Sequence, residues 1–493
     1  MALRVILAGY NVDLDALKEY KNRDVLLTPE SISAAYARIS RSPRSVDVLR
    51  ANARHEVAKA RKSNRNIIFE MGHHSVAEHA VFNFDILGIS RRAIEEFEKF
   101  RLCSYTEKSQ RYVTLKGDYV VPRELKDKGL RKKFRGIIQM QNSLYCELFE
   151  KIKTYNFDKF PELADDSKDR RLLENLAKED ARYILGLATQ TQVGATINAR
   201  NLELMIRRFA SHRLAEMREL GKQLYNCVKR ISPSIILFYK ANDYDMKTYN
   251  EIDKHVCQIN ALKTTRSNTN VRLVDYTRDG DNRILAALLF KTSGKDYAQC
   301  LRVVKRMSHR KKLALFKKAC AHLELYDVVL REFEYADLTY ALVVSAGCFG
   351  QLKRHRIASI TWSEFDPSLG VTIPESVKAV GEVRRFLEII EQVNRLYNKV
   401  EKTLPGIGSY ILTNAHRRRV LMKVNLRELY HISRLREDPT AQWDIRNIAN
   451  QMSALAKKAM PVTTLLLGGK SDYPKIYRKL YGHYPKVKSV PIP

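Results

Sequence analysis

The chain is short of acidic residues, of paired cysteines and of long apolar runs. Its 55 Asp and Glu residues face 87 Lys and Arg residues, which gives a formal net charge of +32. The 7 cysteines are an odd number without a C-x-x-C pair, which argues against a disulfide framework or a zinc ribbon. No run of about 20 apolar residues occurs, so a membrane span is not expected. We therefore expect a cytoplasmic protein without a metal site.

What the chain does have is length and positive charge. Its 493 residues, 45% of them hydrophobic, are sufficient for several packed domains. The apolar segment Leu3–Leu7 lacks a charged leader and a cleavage site, so it predicts a first strand rather than a signal peptide. A strongly basic surface attracts polyanions and phosphorylated small molecules. The charge alone leaves nucleic acids and nucleotides open as partners.

Two parts of the chain carry the same pattern in the same order, which indicates an internal duplication. Lys99-Phe-Arg-Leu-Cys-Ser-Tyr-Thr106 recurs as Arg354-His-Arg-Ile-Ala-Ser-Ile-Thr361. Downstream, Asn198-Ala-Arg200 recurs as Asn425-Leu-Arg427. Because the order is kept while the spacing drifts, we predict two diverged copies of one domain.

Strand-like segments open both copies. Leu3–Leu7 begins the first, and Val271–Asp275 begins the second after the polar stretch Lys263–Asn270. Helical periodicity follows over 46–65, 131–155, 166–192, 301–321, 376–403 and 425–436. We predict an α/β (α+β) fold that is rich in helix, with a mixed sheet in each copy. The predicted domains are 1–240 and 269–493, joined by a linker over 241–268.

The motifs of the first copy are specific when they occur together. Gly72-His-His-Ser-Val-Ala-Glu-His79 precedes Glu98–Tyr112, and an Asn-Ala-Arg helix follows. In this order they resemble the flavin-dependent thymidylate synthases, whose signature R-H-R-x-x-S-x-N-x-x-S-x-R follows a G-H-x-S-x-x-E-H element. In the second copy the candidate counterpart of His73 is His322, which lacks the neighbouring Gly and the final His. We therefore expect the second copy to have lost that element.

The two copies retain different parts of the signature. The first keeps its S-x-R end as Ser109 and Arg111, but Phe100 occupies the histidine position. The second keeps Arg354-His-Arg356 and the later Leu-Arg436 with Ala-Gln-Trp-Asp-Ile-Arg, but it has carboxylates at both S-x-R positions. Each copy is therefore expected to be deficient alone.

These differences have a simple electrostatic meaning. A nucleoside monophosphate carries close to two negative charges and is bound by guanidinium forks and hydroxyl donors. Ser109, Gln110 and Arg111 provide such donors, whereas Glu364 and Asp366 would repel a phosphate at contact distance. We predict that the nucleotide clamp is retained only in the first copy.

The resemblance implies a reaction and a set of residues. It implies FAD as cofactor, methylenetetrahydrofolate and NAD(P)H as co-substrates, and methylation of dUMP to dTMP. The implied catalytic residue is Arg436, whose guanidinium would polarise the uracil. The implied substrate-binding residues are Glu107, Ser109, Gln110, Arg111 and Arg436. The implied cofactor-binding residues are His73, Arg101, Asn198, Arg200, Arg354, His355, Arg356, Asn425 and Arg427.

Because members of the resembled family are homotetramers with shared sites, the two copies can complement each other. We predict a composite site of Ser109 and Arg111 with Arg354–Arg356 and Arg436, and a homodimer that forms a pseudo-tetramer. The alternatives are a flavin-fold protein that acts on or binds uracil in RNA or DNA, and a non-catalytic scaffold. The basic stretch 302–318 and the basic, Tyr-rich tail 470–488 suit either nucleic-acid binding, the less favoured reading, or a solvated helix face and a docking tail.

Overall fold

The computed structural model describes residues 2–20, 26–259 and 269–487. It divides into two compact units, and each is discontinuous in sequence. The first unit is Met1–Thr264 with Pro374–Thr413, and the second is Thr265–Ile373 with Asn414–Pro493. Among the described residues, no helix is long and apolar enough to cross a membrane.

Each unit contains one sheet of four strands. The first sheet has the order β1-β2-β4-β3 and the second the order β5-β6-β8-β7. Alternating burial along the strands explains their formation, as with Phe82, Phe84 and Ile86 on one face of the second strand. The strands are β1 (Arg4–Tyr10), β2 (Val81–Ser90), β3 (Ser104–Glu107), β4 (Gln190–Asn198), β5 (Val271–Tyr276), β6 (Asp337–Ser345), β7 (Ser359–Trp362) and β8 (Arg417–Asn425).

The predicted helix-rich, duplicated fold is confirmed, with one correction. The sheets are antiparallel throughout their described ladders rather than mixed. The helices in chain order are α1 (Leu14–Glu19), α2 (Glu30–Arg38), α3 (Val46–His55), α4 (Val57–Arg65), α5 (Arg91–Phe97), α6 (Lys128–Lys159), α7 (Pro161–Ala164), α8 (Ser167–Ala181), α9 (Ala199–Ala210), α10 (Ala215–Val228), α11 (Asp243–Cys257), α12 (Gly280–Ser293), α13 (Tyr297–Arg306), α14 (His309–Cys320), α15 (Ala346–Leu352), α16 (Glu375–Ala379), α17 (Val383–Glu401), α18 (Leu426–Arg436), α19 (Trp443–Ala459) and α20 (Tyr473–Tyr481).

Strand register makes the two repeats comparable residue by residue. Val81 pairs with Asn198 in the first sheet, and Asp337 pairs with Asn425 in the second. Each of these asparagines then caps the next helix, because its side-chain oxygen accepts a backbone N–H in the first turn. The pattern Asn-x-Arg is thus a strand-to-helix junction in both repeats.

The same register corrects the predicted counterpart of His73. The turn His74–His79 precedes β2, and the turn Arg331–Tyr335 precedes β6 in the same place. Counting back from the paired strand starts, His73 corresponds to Val329 and not to His322. The second repeat has lost the histidines of this element but keeps its glutamate as Glu334.

Several predicted segments are interrupted. The helical stretch 46–65 breaks at Glu56, and the stretch 301–321 breaks at Met307 and Ser308, where Ser308 caps α14. The stretch 166–192 ends its α-helix at Ala181 and becomes strand at Gln190, since the β-forming sequence Thr-Gln-Thr-Gln-Val pairs with β2. The predicted linker 241–268 contains α11, and its residues 260–268 lie outside the described chain.

One segment of the predicted second domain belongs to the first unit. Residues 374–413 carry α16 and α17, and α17 has a continuous buried face that includes Phe386, Ile389 and Val393. Its polar side contacts α6 through the Arg385–Glu147 ion pair, in which Nη2 lies 2.9 Å from Oε1. The sequence predicts an unbroken domain over 269–493, but this amphipathic helix packs with the first unit.

Candidate active site

His355 and Arg436 meet at the end of α15 and α18 in the second unit. The Arg436 Nε donates to His355 Nε2 at 3.0 Å, and Arg436 Nη2 lies 3.5 Å from the Gln351 carbonyl. His355 is buried, with 3% of its surface exposed. Burial, then the nearby Arg436 and His431, holds the pKa of His355 well below its ordinary value. The imidazole is therefore neutral and acts as an acceptor that orients the guanidinium.

Glu428 stands on the other side of the same imidazole. Its Oε1 lies 3.5 Å from His355 Nδ1. Since Nε2 accepts from Arg436, the proton of a neutral ring sits on Nδ1 and faces this carboxyl group. Burial raises the pKa of Glu428. Glu428, His355 and Arg436 thus lie in a line of polar groups, in which the ring is hydrogen-bonded to Arg436 and Nδ1 has no hydrogen-bond partner among the described residues.

The remaining predicted residues of this unit surround that line. The Asn425 side chain accepts from the Glu428 backbone N–H at 2.8 Å, so the cap of α18 holds the first member of the line. Arg427 pairs with Glu334 at 2.8 Å and donates to the Val329 carbonyl. Arg354 is half-buried and Arg356 is exposed, both in the turn between α15 and β7.

In the first repeat, aromatic rings occupy the corresponding positions. Phe100 stands where the second repeat has His355, and Phe209 stands where it has Arg436, eleven residues after the capping asparagine in both. The two rings are in edge-to-face contact with centroids 5.7 Å apart. Phe209 is 2% exposed. A histidine–arginine pair in one repeat is therefore an apolar pair in the other. In each repeat the two side chains contact each other and have matching polarity.

The predicted nucleotide clamp lies in the first unit. Ser109 Oγ accepts from the Arg111 backbone N–H at 3.1 Å. The Arg111 guanidinium pairs with Glu179 of α8, and Glu107 pairs with Arg91 of α5. Both carboxylates are nearly buried. The predicted residues Glu107, Ser109, Gln110 and Arg111 are thus assembled on one loop and held by two ion pairs.

A further arginine belongs to this cluster and is absent from the predicted set. Arg182 is 5% exposed, and its Nε donates to the Glu179 carbonyl at 3.2 Å. Burial lowers the pKa of Arg182, and the positive charges of Arg91 and Arg111 act in the same direction. Three guanidinium groups therefore lie close together around Glu107 and Glu179, and Glu95 and Glu98 also act on Arg91.

A sequence signal for Arg182 does exist. Arg182-Tyr-Ile-Leu recurs as Ser409-Tyr-Ile-Leu at the same distance before the Asn-x-Arg junction. The second repeat thus lacks the guanidinium at this position. It also has Ala346 at the place of Arg91, the first residue after the capping serine of the helix. All three arginines of the cluster have been replaced.

The clamp loop of the second repeat is closed by its own side chains. Asp366, at the place of Arg111, accepts from Arg419 at 3.0 Å. Burial raises the pKa of Asp366, but hydrogen bonds from Ser368 and Arg419 outweigh it and hold the pKa below its ordinary value. Phe365, at the place of Gln110, stacks on the buried Arg418 with 3.8 Å from guanidinium carbon to ring centroid. The arginine of the first repeat is thus replaced by a carboxylate that is paired within the second unit.

The cofactor residues predicted in the first repeat lie in two places. Glu78 and Arg200 form an ion pair at 2.5 Å, next to the Asn198 cap, and His73 is exposed at the start of the adjoining turn. Arg101 is exposed in the turn that leads into β3. Within the described ranges, no cluster of His, Cys, Asp or Glu could hold a metal ion.

Comparison with known proteins now gives the family. A family model described as thymidylate synthase complementing protein matches residues 24–234 and 272–462, one match in each repeat. The two matches together span most of the chain. The chain belongs to the flavin-dependent thymidylate synthases. The duplication inferred from the sequence is therefore a duplication of this family's enzyme domain.

Individual relatives are of two kinds. A flavin-dependent thymidylate synthase of Clostridium tetani is 31% identical over 215 residues, which is 43% of this chain and 82% of that protein. A UPF0159 protein of Chlamydia muridarum is 23% identical over 415 residues, 80% of this chain and 78% of that protein. The similarity thus extends both to single-domain family members and to a protein of duplicated length.

Solved structures are similar at low identity. A thymidylate synthase X of Helicobacter pylori with FAD and dUMP covers 50% of this chain and 100% of its own length, with 20% identity and a TM-score of 0.29. A UMP/dUMP methylase of Streptomyces cacaoi covers 40% of this chain and 94% of its own, with a TM-score of 0.33 and 20% identity.

Proposed function

We propose that this family member methylates dUMP to dTMP at a composite site to which the two repeats contribute different halves. The proposal rests on one observation: residues that contact each other have been replaced together, and each repeat has lost the group of residues that the other keeps. Where one repeat keeps His355 with Arg436, the other has Phe100 with Phe209. At the clamp the first repeat keeps the charged groups, Arg91, Arg111 and Arg182, and the second repeat has replaced all three.

In this proposal the first repeat binds the phosphate. Arg91, Arg111 and Arg182 supply charge, and Ser109 and Gln110 supply neutral donors on the same loop. The cluster is partly desolvated, which strengthens charge-assisted hydrogen bonds to a phosphate. Glu107 and Glu179 hold the guanidinium groups in place before the ligand arrives.

The second repeat supplies the group that acts on the uracil. Arg436 is held by His355 and the Gln351 carbonyl, so its guanidinium is oriented in advance. A fixed guanidinium beside a uracil carbonyl stabilises negative charge that develops on the ring. The neutral state of His355 matters because a protonated ring could not accept from Arg436 and would repel it.

The donor set of the second repeat also suits FAD, whose pyrophosphate is a dianion. Exposed Arg356 and half-exposed Arg354 lie beside the substrate-activating pair, and we propose that they hold the cofactor together with His73, Arg101, Asn198, Arg200, His355, Asn425 and Arg427. When bound, FAD supplies the redox chemistry, with NAD(P)H as reductant and methylenetetrahydrofolate as the one-carbon donor. A homodimer would bring four repeats together.

Ligand stoichiometry tests the division of labour. Equilibrium dialysis and absorbance should give one dUMP and one FAD per chain. Arg111→Ala should abolish dUMP binding with FAD retained, whereas Arg356→Ala should lose FAD. The control is Asp366→Ala, which should leave dUMP stoichiometry unchanged. Two dUMP molecules per chain, or unchanged dUMP affinity in Arg111→Ala, would refute the composite site.

The two rival functions make different predictions. A scaffold would take up no added FAD and remain colourless. An enzyme or binder acting on uracil within a polynucleotide would prefer a uridine-containing RNA to free dUMP in a competition titration. Tight dUMP binding that such an RNA cannot displace would exclude that rival.

A further inference from the structure

A basic helix pair in the second repeat is not used by the proposed site. It consists of α13 and α14, joined by Met307 and Ser308. Its cationic side chains are mostly exposed, and they are Arg302, Lys305, Arg306, Arg310, Lys311, Lys312, Lys317 and Lys318. Within the described part of the chain, Lys305 is the only one of these cations that reaches a carboxylate, Asp279 at 3.5 Å. The pair therefore presents a concentrated positive surface.

In the corresponding helices of the first repeat, most cations are paired with carboxylates. The helices α3 and α4 occupy the same place between the first strand and the second strand of their sheet. There Arg50 pairs with Asp15 at 3.2 Å, Arg54 with Glu19 at 3.0 Å, and Arg61 with the buried Glu30 at 2.5 Å. Stability of the helix pair thus does not require unpaired cations. Their accumulation in only one repeat indicates a ligand rather than a folding requirement.

The apolar sides of α13 and α14 are buried in the second unit. Cys300, Val304, Phe316 and Cys320 are buried in the core of the second unit. A helix that binds a membrane surface needs a free apolar face to enter the lipid. The exposed side of this pair is mostly cationic, and Val303 is the one large apolar residue exposed on the described residues of these two helices. Its chemistry therefore fits a polyanion that stays in water.

The Tyr-rich tail does not extend this surface by stacking. Tyr477 is 2% exposed and its hydroxyl donates to the Ala321 carbonyl at 2.5 Å, while the Tyr481 hydroxyl donates to the Lys317 carbonyl at 2.8 Å. These hydroxyl contacts anchor α20 to the end of α14, and Tyr484 beyond α20 is exposed. The docking-tail interpretation holds for them, and Lys488 of the predicted tail lies outside the described residues.

We propose that α13 and α14 form a docking surface for the phosphate backbone of a nucleic acid. Closely spaced Lys and Arg side chains on adjacent helices match the regular charge of such a backbone, and each phosphate contact releases counterions. Since the exposed groups of these two helices are mainly cations and Tyr477 is buried, the surface should bind through phosphates and without sequence preference. DNA and RNA share this chemistry, so both are probes. The proposal is independent of the dUMP site.

The test compares two triple variants of equal charge. Arg306→Gln/Arg310→Gln/Lys311→Gln removes cations from the surface, and Lys132→Gln/Lys133→Gln/Arg135→Gln removes as many exposed cations from α6. Binding of a labelled DNA duplex and of an RNA duplex of the same length is measured by anisotropy across a salt series. The surface variant should lose at least about tenfold in affinity at moderate salt, and the salt dependence of log K should flatten by up to about 0.9 per lost contact.

The control variant should change affinity by less than about threefold, since it removes only long-range attraction. Equal losses in both variants would show that net charge alone causes binding, which would overturn the proposal. So would displacement of the duplex by polyglutamate at equal charge concentration, because the surface would then fit an acidic protein. An unchanged circular dichroism spectrum and melting temperature verify that each variant is folded. A stronger effect with one duplex identifies the natural nucleic acid.

Discussion

The two repeats share a fold but have exchanged polar and apolar character at matching positions. In the second, Glu428, His355 and Arg436 form a polar line, and the clamp loop is filled by Phe365 and Asp366. In the first, aromatic rings replace the polar line while the clamp loop is cationic. Random decay would leave isolated charges and cavities. Instead, partners changed together, as the proposed division of function between the repeats predicts.

The largest effect is expected from making the second repeat resemble the first. His355→Phe/Arg436→Phe should reduce dTMP formation by at least about 10²–10³-fold, since a preorganised charge stabiliser is lost. The fold should survive, because Phe100 and Phe209 pack at the same register. Turnover at saturating dUMP is the measurement.

A matched change in the first repeat serves as its control. Phe209→Leu alters the position equivalent to Arg436 but removes no group of the proposed chemistry. It should therefore lower the melting temperature and leave turnover nearly unchanged. If the double variant keeps more than half of the normal turnover, Arg436 is not the residue that activates the uracil.

The next effect concerns the clamp. Arg182→Ser installs the residue that the second repeat has at this position, Ser409. Loss of one charge-assisted contact should weaken dUMP binding about 10- to 100-fold, with FAD content unchanged. Isothermal titration measures it, and Arg123→Ser, at an exposed arginine paired with Glu219, is the control. Equal affinity in the wild type and Arg182→Ser would remove Arg182 from the site.

The sequence reveals the duplication and the divergent motifs, but not the pairing of replacements. Spacing from the shared Asn-x-Arg junction matches Phe209 to Arg436, but it does not show that Phe209 contacts Phe100 or that Arg436 contacts His355. Similarly, the match of His73 to His322 is wrong because it depends on one shared histidine, whereas Val329 lies at the same distance before β6 as His73 before β2. Only strand register identifies Val329 and Glu334 as the equivalent positions.

The sequence reveals even less about which helices pack against each other across long stretches of the chain. The amphipathic pattern of α17 predicts a helix with one buried face, and it is confirmed as a helix. Periodicity does not specify which surface covers that face, so the association of 374–413 with the first unit is visible only in the structure. Arg182 is a related case, because its importance comes from Arg91 and Arg111 beside it in space.

A smaller effect concerns the dependence of stability on pH. The folded-state pKa of His355 lies below the ordinary value, so between these two values the unfolded chain binds a proton that the folded chain does not. Stability should therefore fall as pH falls through the ordinary histidine range near about 6.5, with a slope of at most about 1.4 kcal/mol per pH unit from this residue. Urea unfolding between neutral and mildly acidic pH measures it.

Replacing the His355 ring measures how much it contributes to the dependence of unfolding free energy on pH. His355→Phe should make the acid side of the stability profile shallower, whereas His322→Phe, in a turn outside the site, should not. Glu428→Gln is the second control, because a raised carboxyl pKa contributes with the opposite sign, its protonated form favouring the folded state. An identical acid slope in the wild type and His355→Phe would mean that the buried ring is not the titrating group.

The smallest effect concerns the feature that both repeats retain. Glu78 pairs with Arg200, and Glu334 pairs with Arg427, although the rest of this element has diverged. A partly exposed ion pair contributes about 0–1 kcal/mol, so Glu78→Gln and Glu334→Gln should each lower unfolding free energy within that range. If the pair only positions the turn, both variants keep full FAD content. Loss of FAD in Glu78→Gln alone would instead assign that carboxylate to the cofactor side of the first repeat, and the histidine-bearing turn would then contribute directly to the flavin site.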